Sequence, residues 1–189
     1  MMNRYHKRFL ESFASDNVIA LFSRYKNSAK EITESWGMLE AAKKFVPNLN
    51  DCRVVVVGDG ASPRTGAIFA YYTKTNVISI DPCFNIAHWK DFVEKQTNMG
   101  FPPQRLYLIK SKVENVNFDC LGNERVVVVW PHSHAPMDKC IIKKVKERYD
   151  IALPCCVQIP KKFMEKPHIN YVDYNIESPR NTVHIWVNI

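Results

Sequence analysis

Residues 54–66 read Val54-Val-Val-Val-Gly-Asp-Gly-Ala-Ser-Pro-Arg-Thr-Gly66, and Ile78-Ser-Ile-Asp81 follows shortly after. The β-branched run up to Gly58 is apolar on both faces, which suits the central strand of a parallel sheet covered on each side. Gly58 and Gly60 let the backbone turn sharply and approach a ligand. The N–H groups at Ser62–Thr65 favour an anionic or polar group. Ser62-Pro63 reads as an N-cap and first helical position, opening a helix through about Lys74. Asp81 closes a second strand, Asn76–Asp81, 22 positions beyond Asp59. A carboxylate there can accept hydrogen bonds from both ribose hydroxyls of an adenosine-containing ligand. The same residues also fit a plain tight turn with Asp81 capping the next helix.

Further strands are expected at Arg105–Lys110, Arg125–Trp130 and Ile151–Ile159, with Pro154 as the residue that would shorten or bulge the last. Helices are expected around Ile86–Lys95 and, rich in lysine, over Cys140–Tyr149. His168–Asn175 and Thr182–Asn188 read as an antiparallel hairpin around Ile176–Asn181. Strands alternating with helices and ending in a hairpin imply an α/β fold whose seven-stranded sheet is mostly parallel, with one antiparallel edge strand. Upstream, Asn17–Tyr25 and a segment opened by the capping-box pattern Ser28-Ala-Lys-Glu31 read as helices. The chain is expected to form a single domain, 1–189, with an N-terminal helical extension (1–50) and a sheet core (51–189).

Hydrophobic residues make up 46% and aromatics 12%, which excludes a disordered chain. No apolar stretch reaches about 18 residues, so no membrane span or membrane partner is expected, and the charged start does not lead into a secretion signal. The six cysteines (52, 83, 120, 140, 155 and 156) form no Cys-x-x-Cys pair. Most of them read as small core residues of a reduced, cytoplasmic protein rather than a disulfide or metal framework. The formal net charge is +7. Asp138–Lys166 carries eight Lys/Arg against four Asp/Glu, a local excess of four. Such a surface attracts RNA or another polyanion, although a solvated face reads equally well.

The glycine turn with Ile78-Ser-Ile-Asp81 resembles the first two motifs of class I S-adenosylmethionine-dependent methyltransferases, a Rossmann-like fold, and Ile169–Val187 fits that family's last two strands. The resemblance spans about residues 36–189. It implies S-adenosylmethionine as cofactor, with Gly58, Asp59, Gly60 and Ala61 along its methionine part, Ser62 and Gly66 completing the turn, and Asp81 on its ribose. Pro82-Cys83 would pass near the adenine. The acid that the family often places after its third strand is replaced by Lys110-Ser-Lys112, and Glu114, slightly further on, is the substitute.

The fourth strand runs into Trp130-Pro-His-Ser-His-Ala-Pro136, where methyltransferases orient the acceptor. It matches neither the Asn/Asp-Pro-Pro-Tyr pattern of base-amino methylation nor the Lys-Asp-Lys-Glu set of 2′-O methylation. His132 and His134 are the catalytic candidates, because a histidine can serve as a base near neutral pH. The segment also reads as a rigid loop whose histidines bond to backbone, and a third metal ligand is not evident. Trp36 and Trp89 could stack on a ligand but fit core positions at helical spacing, and Trp186 packs on one face of the last strand. Two functions follow: a methyltransferase acting on RNA or another polyanion, and a catalytically inactive methyltransferase-like module that binds cofactor or a protein partner. A dinucleotide-binding enzyme ranks last, since Pro63 interrupts the Gly-x-Gly-x-x-Gly pattern.

Overall fold

A computed structural model describes residues 2–23, 26–154 and 167–188. Seven strands form one sheet: β1 (Cys52–Val57), β2 (Asn76–Ile80), β3 (Leu106–Ile109), β4 (Arg125–Pro131), β5 (Glu147–Leu153), β6 (Ile169–Val172) and β7 (Thr182–Asn188), in the order β3-β2-β1-β4-β5-β7-β6. The first five run parallel, and β7 pairs antiparallel with both β5 and β6. The hairpin is therefore present, but its reversed strand lies between β5 and β6 instead of at the sheet edge.

The valine runs explain why β1 and β4 sit at the centre. Side chains alternate across a strand. Val54 and Val56 enter one core with Val127 and Val129, while Val55 and Val57 enter a second with Val126 and Val128. All eight are essentially fully buried. The first core is roofed by helices: α1 (Arg4–Leu10), the short α2 (Ser15–Val18), α3 (Ser28–Phe45), α4 (Arg64–Tyr72) and α5 (Ile86–Asn98). Asn27 caps α3 by accepting from Lys30 N at 3.2 Å, and Asn85 caps α5 by accepting from His88 N at 3.1 Å. Ser28 is thus the first helical residue, not the cap. Trp36 is buried in edge-on contact with Phe9 and Tyr72, and Trp89 stacks on Phe92. Trp186 is buried in the second core.

That second core is closed without α-helices among the described residues. Val113, Phe118, Leu121, Met137, Cys140 and Ile142 seal it from irregular segments and single 3-10 turns. The helix expected over Cys140–Tyr149 is absent. Glu147 to Tyr149 belong to β5, where Arg125, Val126 and Val127 of β4 pair with them. Lys144 adopts φ +58, a left-handed conformation that a helix interior excludes. Cys140 and Ile142 are buried while Ile141 and Lys143 are exposed, an alternation with the period of extended chain. The helix expected over Asn17–Tyr25 is limited to α2 and a 3-10 turn, Ile19–Leu21. Tyr25, Cys155, Cys156 and the expected strand residues 155–159 lie outside the described residues. Among those described, no helix is long and apolar enough to cross a membrane, and Cys52, Cys83, Cys120 and Cys140 are free thiols.

Candidate functional site

The order of the strands puts a topological switch beside β1. The chain leaves β1 for β2 and β3 on one side, then crosses to β4 on the other. Ligands of open α/β sheets bind beyond the carboxyl ends of the strands at such a point. A cavity of about 440 Å³ opens there, lined by Gly58, Asp81, Pro82, Glu114, His132 and His134 among others. Residues marked by the sequence on four separate segments thus meet on one surface. Cys83 and Lys112 also line it. Asp59, Gly60, Ala61, Ser62 and Gly66 are not among its lining residues.

Asp59 is turned inward. It is buried, its Oδ1 accepts from Thr65 N at 2.8 Å, and its Oδ2 accepts from Gly66 N at 2.8 Å and Ser79 Oγ at 2.7 Å. Helix α4 starts at Arg64, with Pro63 in the cap position and no side-chain cap of its own. Asp59 takes over the task assigned to Ser62-Pro63 by satisfying two of the N–H groups that a helix start leaves open. Burial pushes its carboxyl up, against the opposing influence of those donors and of Arg64.

Gly58 and Gly60 have φ of +80 and +79. At Gly58 a Cβ would stand 2.7 Å from Cβ of Ser133, and at Gly60 it would stand 3.2 Å from the Arg64 guanidinium. The space the missing side chains free is taken up by the protein's own Ser133 and Arg64. Arg64 is in turn held by Glu31 at 3.0 Å.

Asp81 is nearly buried at the end of β2. Its Oδ2 accepts from Gly60 N at 2.8 Å and its Oδ1 from Cys83 N at 2.7 Å. One carboxylate thereby ties the glycine turn to the turn after β2 while lining the cavity. A carboxylate oxygen has two lone pairs, so each can still accept a hydroxyl.

His132 follows β4 with φ +50, and its N–H donates to Leu153 O at 3.1 Å. Its Nε2 lies 2.7 Å from Glu34 Oε1 of α3 and 3.5 Å from Ser178 Oγ in the β6–β7 loop. Lys30 Nζ approaches the same Glu34 oxygen at 2.8 Å. Burial alone would raise the Glu34 carboxyl; His132 and Lys30 outweigh it and hold the group below the ordinary carboxylate range. His134 is exposed at the cavity rim.

Glu34, Lys30, Arg64 and Ser178 were not singled out by the sequence. The available signal was the run Thr33-Glu34-Ser35, three polar residues in a row between Ile32 and Trp36, where one face of the helix should be apolar. All three are buried, and Thr33 accepts from Glu177 N while Ser35 bonds Thr65 across to α4. Among the described residues no three His, Cys, Asp or Glu side chains converge as a metal site.

Two solved structures share this architecture. One is TrmK of M. capricolum in complex with the natural cofactor product S-adenosyl-homocysteine: TM-score 0.51, 12% identity, 79% of this chain against 66% of that one. The other is a mutant of MtNAS in complex with S-adenosylmethionine: TM-score 0.50, 11% identity, 96% of this chain against 68% of that one. The chain has the class I methyltransferase fold. It spans about two thirds of the length of each of these proteins. No family model and no curated protein matches the sequence.

Proposed function

We propose that this chain is an S-adenosylmethionine-dependent methyltransferase whose cofactor occupies the cavity at the ends of β1, β2 and β4. The observation that carries the reading is the meeting of Asp81, Glu114, His132 and His134 on that one surface. Its volume falls in the range of small-molecule sites. The fit is clearest at the nucleoside end, where Asp81 keeps acceptor capacity for ribose hydroxyls and Glu114 stands in for the acid absent from Lys110-Ser-Lys112. The two structures of the same fold that hold S-adenosylmethionine or its product support this choice. Bound there, the sulfonium supplies an electrophilic methyl group. The chain's own work is to hold the ribose through Asp81, and to orient the acceptor and accept its proton through His132 and His134.

We take RNA or another polyanion as the acceptor class. The net charge of +7 supports it, as do Lys112 at the cavity and the exposed Lys139, Lys143, Lys144 and Lys146. The free thiols of Cys52, Cys83, Cys120 and Cys140 fit a cytoplasmic protein. One observation favours a second reading, a catalytically inactive module that binds the cofactor or a protein partner: Ser133 and Arg64 fill the space around the glycine turn, and Asp81 already holds two N–H groups.

Incubation with methyl-labelled S-adenosylmethionine and total cellular RNA tests the choice. Label in RNA that is lost with His132→Asn supports the enzyme. Cofactor binding without label in RNA, protein or small molecules supports the inactive module.

A further inference from the structure

We propose that Glu34 of α3 is the positioning residue of His132, and that the pair makes His132 the proton acceptor of the site. The proposal builds on the methyltransferase reading and narrows the acceptor to a group that sheds a proton on methylation, a hydroxyl or an amine.

The geometry is specific. His132 lines the cavity and meets Glu34 Oε1 at 2.7 Å, with only 16% of the His132 side chain and 6% of the Glu34 side chain exposed. Water screens such a pair weakly, so the carboxylate acts on the imidazole at close range. Glu34 is itself fixed, on a long helix, by Lys30 at 2.8 Å. Thr33 and Ser35, its two neighbours, anchor that stretch to the β6–β7 loop and to α4. Helix α3 is therefore part of the site.

In the proton step the acceptor's O–H or N–H bond breaks, the proton goes to the imidazole of His132, and the bonding pair stays on the acceptor atom. Glu34 stabilises the positive charge that results. Among the described residues, the charged and titratable groups that face His132 directly or through its partners are Glu34, Lys30 and Glu31 on α3 with Arg64 on α4, Asp81, Glu114 and His134 along the cavity, and Glu177 and Arg180 beside Ser178. Among these, Glu34 is the carboxylate in direct contact with the ring.

Histidine-resolved NMR titration of the full chain tests the pair without requiring turnover. His132→Asn assigns the resonance among the six histidines. In Glu34→Gln, the titration midpoint of His132 should fall by about one pH unit or more relative to the wild type, with the histidines remote from Glu34 unmoved. If that variant does not fold, Lys30→Gln serves instead. It leaves Glu34 with less competition, and the His132 midpoint should rise. An unchanged midpoint in the folded variant overturns the proposal, whatever else the protein binds. Calorimetry with S-adenosylmethionine on the same samples separates the two readings. A shifted midpoint with no cofactor binding would leave the pair standing and remove the methyl-transfer role assigned to it.

Discussion

Replacing Asp59 with alanine should destabilise the protein by about 2–4 kcal/mol, because its carboxylate is an internal helix cap. Three donors converge on it: Thr65 N and Gly66 N at 2.8 Å and Ser79 Oγ at 2.7 Å. A buried donor stripped of its partner costs roughly 1–3 kcal/mol, so three independent losses would approach the top of any single-residue effect. The sum is smaller here. The Ser79 hydroxyl can rotate to another acceptor, and removing a buried carboxylate also removes the cost of burying it, the influence that pushes its carboxyl up. Urea unfolding at pH 7 reads the loss directly, and the melting temperature should fall by about 5–15 °C for a domain of this size. Asp59→Asn keeps one acceptor oxygen and should lose less. A variant as stable as the wild type but deficient in cofactor binding would refute this reasoning, and would return Asp59 to the methionine end of the ligand.

Gly58→Ala should cost about 1–3 kcal/mol, since it forces a side chain into φ +80 and against Ser133. Chemical denaturation checks it, and pairing it with Ser133→Gly should recover the part due to the clash. Burial holds His184 below its ordinary pKa, so the unfolded chain takes up that proton more readily than the native one. Stability from this group is present above the unfolded value of about 6.5 and declines as pH falls below it. Between pH 7.5 and 5.5 the wild type should lose more stability than His184→Gln, as parallel urea titrations would show.

The parts of the fold written locally were legible in the sequence. Val54–Val57 and Val126–Val129 are buried on both faces, and a β-branched run encodes that without reference to partners. The segment Cys140–Tyr149 misled because lysines spaced among apolar residues look alike on a solvated helix and on an extended strap. The pairing of Glu147–Tyr149 with β4, the left-handed Lys144 and the alternating burial over Cys140–Lys143 distinguish them. At the site, Asp81, Glu114, His132 and His134 were each visible by residue type and place after a strand. Their partners were not. Glu34 lies 98 positions before His132, and a helix that far upstream gives no spacing to read. The inward turn of Asp59 was hidden for a related reason: its orientation depends on Ser79 of the neighbouring strand and on a helix start that Pro63 leaves without a side-chain cap.

The proposed function requires the cavity beside Asp81 to hold an S-adenosyl ligand. Calorimetric titration of the purified chain with S-adenosylmethionine, S-adenosylhomocysteine, NAD and ATP tests this directly, with Asp81→Ala alongside. Selective micromolar binding of the first two is expected, weakened by roughly 1–3 kcal/mol in the variant through lost ribose hydrogen bonds. Failure to bind either S-adenosyl ligand, or affinity untouched by Asp81→Ala, would contradict it.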